Sequence, residues 1–232
     1  MKIALLGYGK MGQTIEKIAI KRGHTIVLKV DKDDTNYDVS VADVAIDFSI
    51  PDAAVNNITN CFNAGVPVVS GTTGWLSHYD QMVALCKKQK GAFIYASNYS
   101  LGVNLFFELN KKLAKMMSPV EGYDIKTEEI HHTQKLDAPS GTAITLAEGI
   151  IENTTKESWQ LDHGDATTIP IVAKRIGDVP GTHLITYTSD VDDIEIKHTA
   201  HNRQGFALGA VVAAEWLHTR TGVYGMKDVL GL

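Results

Sequence analysis

The chain opens with an apolar run, Ile3 to Leu6, that stops at Gly7 and gives way to a stretch where Ile15, Ile18, Ala19 and Arg22 recur at three-and-four spacing. That pattern predicts a strand, a glycine-rich turn and a helix, with Gly23 placed to end the helix. The next run, HTIVLKVD, is β-branched and alternates little, as a strand buried on both faces should. The beat continues through strand VADVAIDFS, a helix over 51–64, strand VPVVSGTTG, a helix over 76–89 and strand AFIYASN. Repeated β-α units of this length predict an α/β fold, a Rossmann-type doubly wound parallel sheet over residues 1–101.

From residue 99 the pattern changes. A long helix, SLGVNLFFELNKKLAKMM, is followed by the strand YDIKTEEIHH and the helix SGTAITLAEGIIEN. Three strand-like runs then come close together: TIPIVAKRIG, THLITYTS and DIEIKHTA. Strands without intervening helices predict a mixed or antiparallel sheet, hence a second, α+β domain over 102–209. The last apolar helix is expected to return to the first domain, so that residues 210–232 complete it.

Composition narrows the function classes. A net charge of −5 gives no basis for a nucleic-acid or anionic-membrane partner. No apolar run approaches the ~20 residues needed to span a bilayer. The first residues enter a strand at once, with no secretory pattern. Cys61 and Cys86 lie in predicted helices without CxxC spacing and read as reduced thiols. A cytoplasmic protein is expected.

The chemistry gathers at the predicted strand ends. Gly7, Gly9 and Gly12 form G-x-G-x-x-G between strand and helix, the setting in which each glycine has a task. One turns tightly, one lets backbone approach a pyrophosphate, and one lets helix pack on strand. Asp31 ends the second strand, where a carboxylate can accept hydrogen bonds from ribose hydroxyls and favours NADH. Lys32 follows directly, and its ammonium could attract the extra phosphate of NADPH. Gly71, Thr72 and Thr73, and Ala96, Ser97, Asn98 and Tyr99, fall at two further strand ends, where small and hydroxylated residues suit a ribose or nicotinamide.

The stretch EIHHTQKLDAPSGTA, residues 129–143, carries the remaining chemistry. Gly141 and Thr142 fall in the first turn of a helix, where free amides form an anion nest suited to a carboxylate. His131, His132 and Lys135 bring cationic and proton-donating groups beside it. Adjacent histidines in a strand face opposite ways, and no third ligand stands at zinc-site spacing, so no metal site is expected.

The run His131-His132-Thr133-Gln134-Lys135, continued by Asp137 to Ala143, closely resembles the signature of the 4-hydroxy-tetrahydrodipicolinate reductase family. GKMG, DFS at 47–49, SGTTGW at 70–75, ASNYSLGVN at 96–104, RIGDVPGTH at 175–183 and NRQGFALGAVVAAEWL at 202–217 extend the resemblance over essentially the whole chain. It implies an oxidoreductase of lysine biosynthesis by the diaminopimelate route, using NADH or NADPH on a dicarboxylate cyclic imine. It implies that His131 and Lys135 are proton donors, that His132 contacts substrate, and that Gly141 and Thr142 hold a carboxylate. Cofactor would be held by Gly7, Tyr8, Gly9, Lys10, Met11 and Gly12, by Asp31 and Lys32, and by the segments 71–73 and 96–99. A homotetramer assembled through the second domain's sheet is also implied. The chain departs from many relatives in a glycine turn one residue shorter, in a short link over about 32 to 42, and in Asn202-Arg203 where Ser-Arg is common. Two other readings of the same fold are a dehydrogenase of an aspartate-like amino acid and a non-catalytic NAD-binding sensor.

Overall fold

The computed structural model describes residues 1–31, 34, 36–202 and 204–232, so Lys32 lies outside the described residues. In chain order the elements begin β1 (Lys2–Leu6), α1 (Lys10–Lys21), β2 (Thr25–Val30), β3 (Val44–Asp47), α2 (Pro51–Asn63), β4 (Val68–Ser70), α3 (Tyr79–Gln89) and β5 (Ala92–Tyr95). They continue with α4 (Leu101–Met117), β6 (Asp124–His131), α5 (Gly141–Ile151), β7 (Ser158–Leu161), β8 (Thr168–Arg175), β9 (Gly181–Thr188) and β10 (Asp193–Ala200). The chain closes with α6 (Gln204–Leu217), β11 (Gly222–Tyr224) and α7 (Met226–Leu230).

Two compact units result. Met1–Asn104 and Gln204–Leu232 form the first, and Leu105–Arg203 the second. The return to the first unit therefore begins at Gln204 rather than at 210, because the first turn of α6 already buries Ala207 in that unit's core.

In the first unit all strands run parallel, in the order β11-β5-β4-β3-β1-β2. The alternation of β1 explains the layers. Ile3 and Leu5 enter a core with α1 and α6, whereas Ala4 and Leu6 enter the opposite core with α2 and α3. Cys61 and Cys86 are free and buried in that second layer. Strand β11 is three residues long, and it pairs beside β5 without any alternation that would announce it.

The second unit holds a five-stranded mixed sheet, β10-β9-β6-β8-β7. Strand β6 is parallel to β8 and antiparallel to β9, and β7 is parallel to β8. Ile125, Ile169, Ile185 and Tyr187 pack under α4 and α5, against Phe106, Ala114, Leu146 and Ile150. Along β6 the inward positions are Ile125, Thr127, Glu129 and His131. The inner face thus grades from apolar to ionisable toward the end of the strand, where α5 begins. Among the described residues no helix is long and apolar enough to cross a membrane.

Candidate active site

In the first unit, the turn between β1 and α1 is set by close backbone approach. Gly7 has φ of +99°, and a Cβ on it would overlap the Phe48 carbonyl; one on Gly12 would overlap the Gly7 carbonyl oxygen. The Gly7 and Tyr8 amides donate to the Val30 carbonyl at 2.9 and 3.0 Å, tying the turn to the end of β2. Gly9 is the N-cap of α1, with nothing within 4 Å of a Cβ placed there, so the approach to the helix N-terminus is open. Beside it lies a cavity of about 370 Å³ lined by Gly7, Tyr8, Gly9, Asp31, Asp34, Tyr37, Phe48 and Ser49, among others. Lys10 is exposed, and Met11 packs on the core beneath the turn. The Tyr8 hydroxyl donates to Glu16, and the Lys29 ammonium lies 4.5 Å from the centre of the Tyr8 ring.

Asp31 reaches this cavity, and its amide donates to Asp34 Oδ2 at 2.8 Å, so a second carboxylate that the sequence did not single out borders the same wall. Behind the cavity lies Asp47, fully buried at the end of β3. It accepts hydrogen bonds from Ser49 Oγ (2.7 Å), Asn57 Nδ2 (3.0 Å), Ser70 Oγ (2.8 Å) and Thr72 Oγ1 (2.7 Å). Burial raises its carboxyl above the ordinary range, and the four donors only partly offset this. The network engages two of the side chains named from sequence. Thr72 spends its hydroxyl on Asp47, and it also accepts from the Ser49 amide. Tyr99 is 1% exposed and donates to the Ser70 carbonyl at 2.8 Å. Both brace the strand-end loops from behind, so any contact they offer a ligand comes from backbone. Gly71 lies flush on the Phe48 ring, and Thr73 and Ser97 are exposed. Ala96 packs at the edge of the core, and Asn98 accepts from the amide of Ser100, whose own Oγ caps α4 by accepting from the Val103 amide.

In the second unit, sheet register assembles a cluster from three strands and a helix. His131 pairs with Arg175 across β6 and β8, and Glu129 pairs with His183 across β6 and β9. All four therefore meet on one face. Glu129 is fully buried and receives Arg175 Nη2 at 3.0 Å and the Ser140 amide at 3.1 Å. His131 Nδ1 lies 3.4 Å, and His183 Nε2 3.7 Å, from Glu129 Oε2. The two imidazoles stand edge to face, 5.2 Å apart. Ser140 also caps α5, its Oγ accepting from the Ala143 amide at 3.2 Å, so the exposed Gly141 and half-buried Thr142 are hung from the same carboxylate.

Arg175 does more than neutralise Glu129. Its Nη2 donates to the Asp137 carbonyl at 2.6 Å and its Nε to the Lys135 carbonyl at 3.4 Å, so one guanidinium shapes the loop that carries Lys135. The Lys135 ammonium lies 2.8 Å from both carboxylate oxygens of the exposed Asp137, whose carboxyl it holds below the ordinary range. Burial pulls the His131 imidazole below the ordinary histidine range, Glu129 pulls it back, and Lys135 and Arg175 lower it again. Burial, helped by His131, His198 and Lys135, pushes His183 down to about 3. His132 faces away, lining a separate shallow pocket with Gln134, Asp178, Pro180, His201 and Asn202.

The adjacent histidines thus do not converge, but Glu129, His131 and His183 bring ligand atoms within 4.8 Å of one another. A cation placed among them would face the Arg175 guanidinium across the one carboxylate available to hold it, with Lys135 near. The charge balance suits proton handling better than metal binding. Arg175, Glu129 and His183 were not singled out from sequence. The only signal for Glu129 was its place two residues before His131, on the same strand face.

Comparison with known proteins covers nearly the whole chain. Residues 1–99 match the family described as dihydrodipicolinate reductase, N-terminus, and residues 102–230 its C-terminus. The chain is 62% identical, over 99% of its length and 98% of the relative's, to 4-hydroxy-tetrahydrodipicolinate reductase of Christiangramia forsetii. It is 35% identical to the protein of the same name from Neisseria meningitidis serogroup C, over 94% of this chain and 84% of that one. A solved structure of dipicolinate-bound dihydrodipicolinate reductase from Paenisporosarcina sp. TG-14 superposes with a TM-score of 0.77, covering 98% of both chains at 23% identity, a likeness of fold.

Proposed function

The chain belongs to the dihydrodipicolinate reductase family, and on that premise we propose that its second unit binds the substrate and delivers the proton while its first unit holds the nucleotide. The reaction is reduction of 4-hydroxy-tetrahydrodipicolinate to tetrahydrodipicolinate with loss of water, in the diaminopimelate route to lysine, with NADH or NADPH as reductant. When bound, that cofactor supplies the hydride.

The residues of the first unit fit such a group. The glycine turn would fill with any Cβ at Gly7 or Gly12, the N-terminus of α1 is open beside it, and the adjoining cavity has an acidic wall at Asp31. Backbone of 7–12, 71–73 and 96–99 would hold phosphate, ribose and nicotinamide. Asp31 would take the adenosine ribose, and Lys32 any phosphate on it.

The observation that carries the substrate reading is the shared face of Glu129, His131, Arg175 and His183 at the N-terminus of α5. A dicarboxylate imine needs cations and amides for its carboxylates, and a proton donor for the atom that gains electron density as hydride arrives. Gly141 and Thr142 offer amides at the first turn of α5, and Lys135 a charge that a substrate carboxylate can draw away from the exposed Asp137. His131 and Lys135 are the proton donors, whereas His132, turned to its separate pocket, is left out of the substrate contacts. The open face of the second sheet, with Lys126, Glu128, Glu195 and Lys197 in its outward positions, is the surface through which a homotetramer would assemble, and a cytoplasmic location belongs to the same proposal.

The test follows nicotinamide oxidation while a separate synthase makes the substrate in situ from pyruvate and aspartate semialdehyde, with NADH and with NADPH. Oxidation that depends on the synthase is expected. Intact NADH binding without oxidation would refute the substrate assignment. Light scattering that finds a monomer at micromolar concentration would refute the tetramer.

A further inference from the structure

We propose that Glu129 is a positioning residue for the reduction: it holds His131 through Nδ1, which leaves Nε2 as the nitrogen that handles the proton, and Gly181 keeps the space beside Nε2 open. The inference rests on the reading of His131 as a proton donor and adds the groups that set its orientation and tautomer.

Alternation along β6 puts Glu129 and His131 on one face, with Nδ1 3.4 Å from Glu129 Oε2. Nδ1 is buried and makes no hydrogen bond as placed. A buried ring nitrogen without a partner is costly, and the carboxylate is the acceptor in reach, so a small rotation of the ring closes the bond. An ionised carboxylate only accepts, so Nδ1 carries the proton in the neutral ring. Nε2 then bears the lone pair, and in the charged ring it is the nitrogen free to donate.

Two neighbours make this arrangement specific. Arg175 and the Ser140 amide both donate to Glu129, which fixes its carboxylate oxygens in place as acceptors. On the other side, a Cβ at Gly181 would sit 3.2 Å from His131 Nε2 and 3.5 Å from its Cδ2, so glycine there is what leaves that edge of the ring uncrowded. The groups acting on the ring come from every element around it: Glu129 on β6, Arg175 on β8, His183 on β9, and Lys135 and Asp137 on the loop. Burial lowers the ring's affinity for a proton and Glu129 raises it, so loss of that charge leaves burial and two cations opposed by Asp137 alone.

The experiment records imidazole ¹⁵N spectra of the full chain, with His131 assigned by the signals lost in His131→Gln, beside pH profiles of kcat and KM. In the wild-type protein the neutral His131 ring is expected to be protonated on Nδ1. In Glu129→Gln the Nε2-protonated form should grow and the ring should titrate at lower pH. The alkaline limb of kcat should move down with it, kcat should fall about 10²-fold, and KM for NADH should hold. A wild-type ring protonated on Nε2, or ring populations unchanged in Glu129→Gln, would overturn the proposal. A changed ring with unchanged kcat would instead overturn the proton-donor reading of His131 and leave Glu129 as the group that holds the ring. Should Glu129→Gln fail to fold, Gly181→Ala reads the same arrangement from the Nε2 side. It should lower kcat with Nδ1 still protonated, and no change in either kcat or ring signals would count against the proposal.

Discussion

Among the described residues each unit buries one carboxylate completely, and the two are compensated in opposite ways. Asp47 in the first unit is met by three hydroxyls and an amide, all neutral, and two of those donors, Ser49 and Asn57, line the cavity beside the glycine turn. Glu129 in the second unit is met by a guanidinium, a backbone amide and two imidazoles. Neutral donors fix geometry and do not themselves titrate. A carboxylate shared with imidazoles can pass its influence to a proton. The contrast agrees with the proposed division between a unit that holds the nucleotide and a unit that reacts.

Removing the proton donors should separate the units most sharply. Lys135→Ala and His131→Ala should each lower kcat by about 10²–10⁴-fold, with NADH affinity nearly unchanged. Near-normal turnover in both would erase the chemical role of the second unit. Asp47→Ala should do the reverse. It strands four donors, costing about 3 kcal/mol of stability, and should weaken NADH binding as the loops at 48–50 and 71–73 lose their common anchor. Urea denaturation and a fluorescence titration with NADH would check this, and an unchanged affinity would mean the network serves stability alone.

Acid should act on the units with opposite sign. His183 is pushed to about 3 and His131 and His198 are lowered, so their contribution is complete above the ordinary histidine value of 6.5 and drains away as pH falls toward 3. Asp47 is raised, so its contribution is complete below the ordinary carboxylate range and is lost as pH rises through its folded value. Hydrogen exchange at pH 5 should therefore open β6 and β9 before β1 and β3; the reverse order would contradict the assignment. The smallest effect is expected at Lys32, where substitution by alanine should weaken NADPH about fivefold relative to NADH, the scale of one exposed ion pair. Equal weakening would place that ammonium in solvent.

The pattern of apolar positions shows the parallel sheet, the glycine turn and the change of character after residue 99, because those depend on neighbours in sequence. Strands β7 and β11 are short and lack alternation, so they become visible only through their pairing partners. The same limit applies to the site. His131, Lys135, Gly141 and Thr142 lie within one stretch and carry their chemistry openly. Arg175 and His183 reach Glu129 only through the register of β8 and β9, which no local spacing reports. The Thr72 and Tyr99 hydroxyls turn to partners within the protein for a related reason: a strand-end hydroxyl looks the same in sequence whether it faces outward or a buried acceptor behind it.

The Arg175 clasp also sets an order of assembly. It completes the loop of Lys135 from 40 residues further along the chain, so a growing polypeptide displays the whole signature well before it can shape it. Until β8 docks beside β6, Glu129 has no cation and the carbonyls of Lys135 and Asp137 have no clasp. Turnover on refolding or during synthesis should appear only when that late strand is in register. No fragment ending short of Arg175 would carry the activity that its motif advertises.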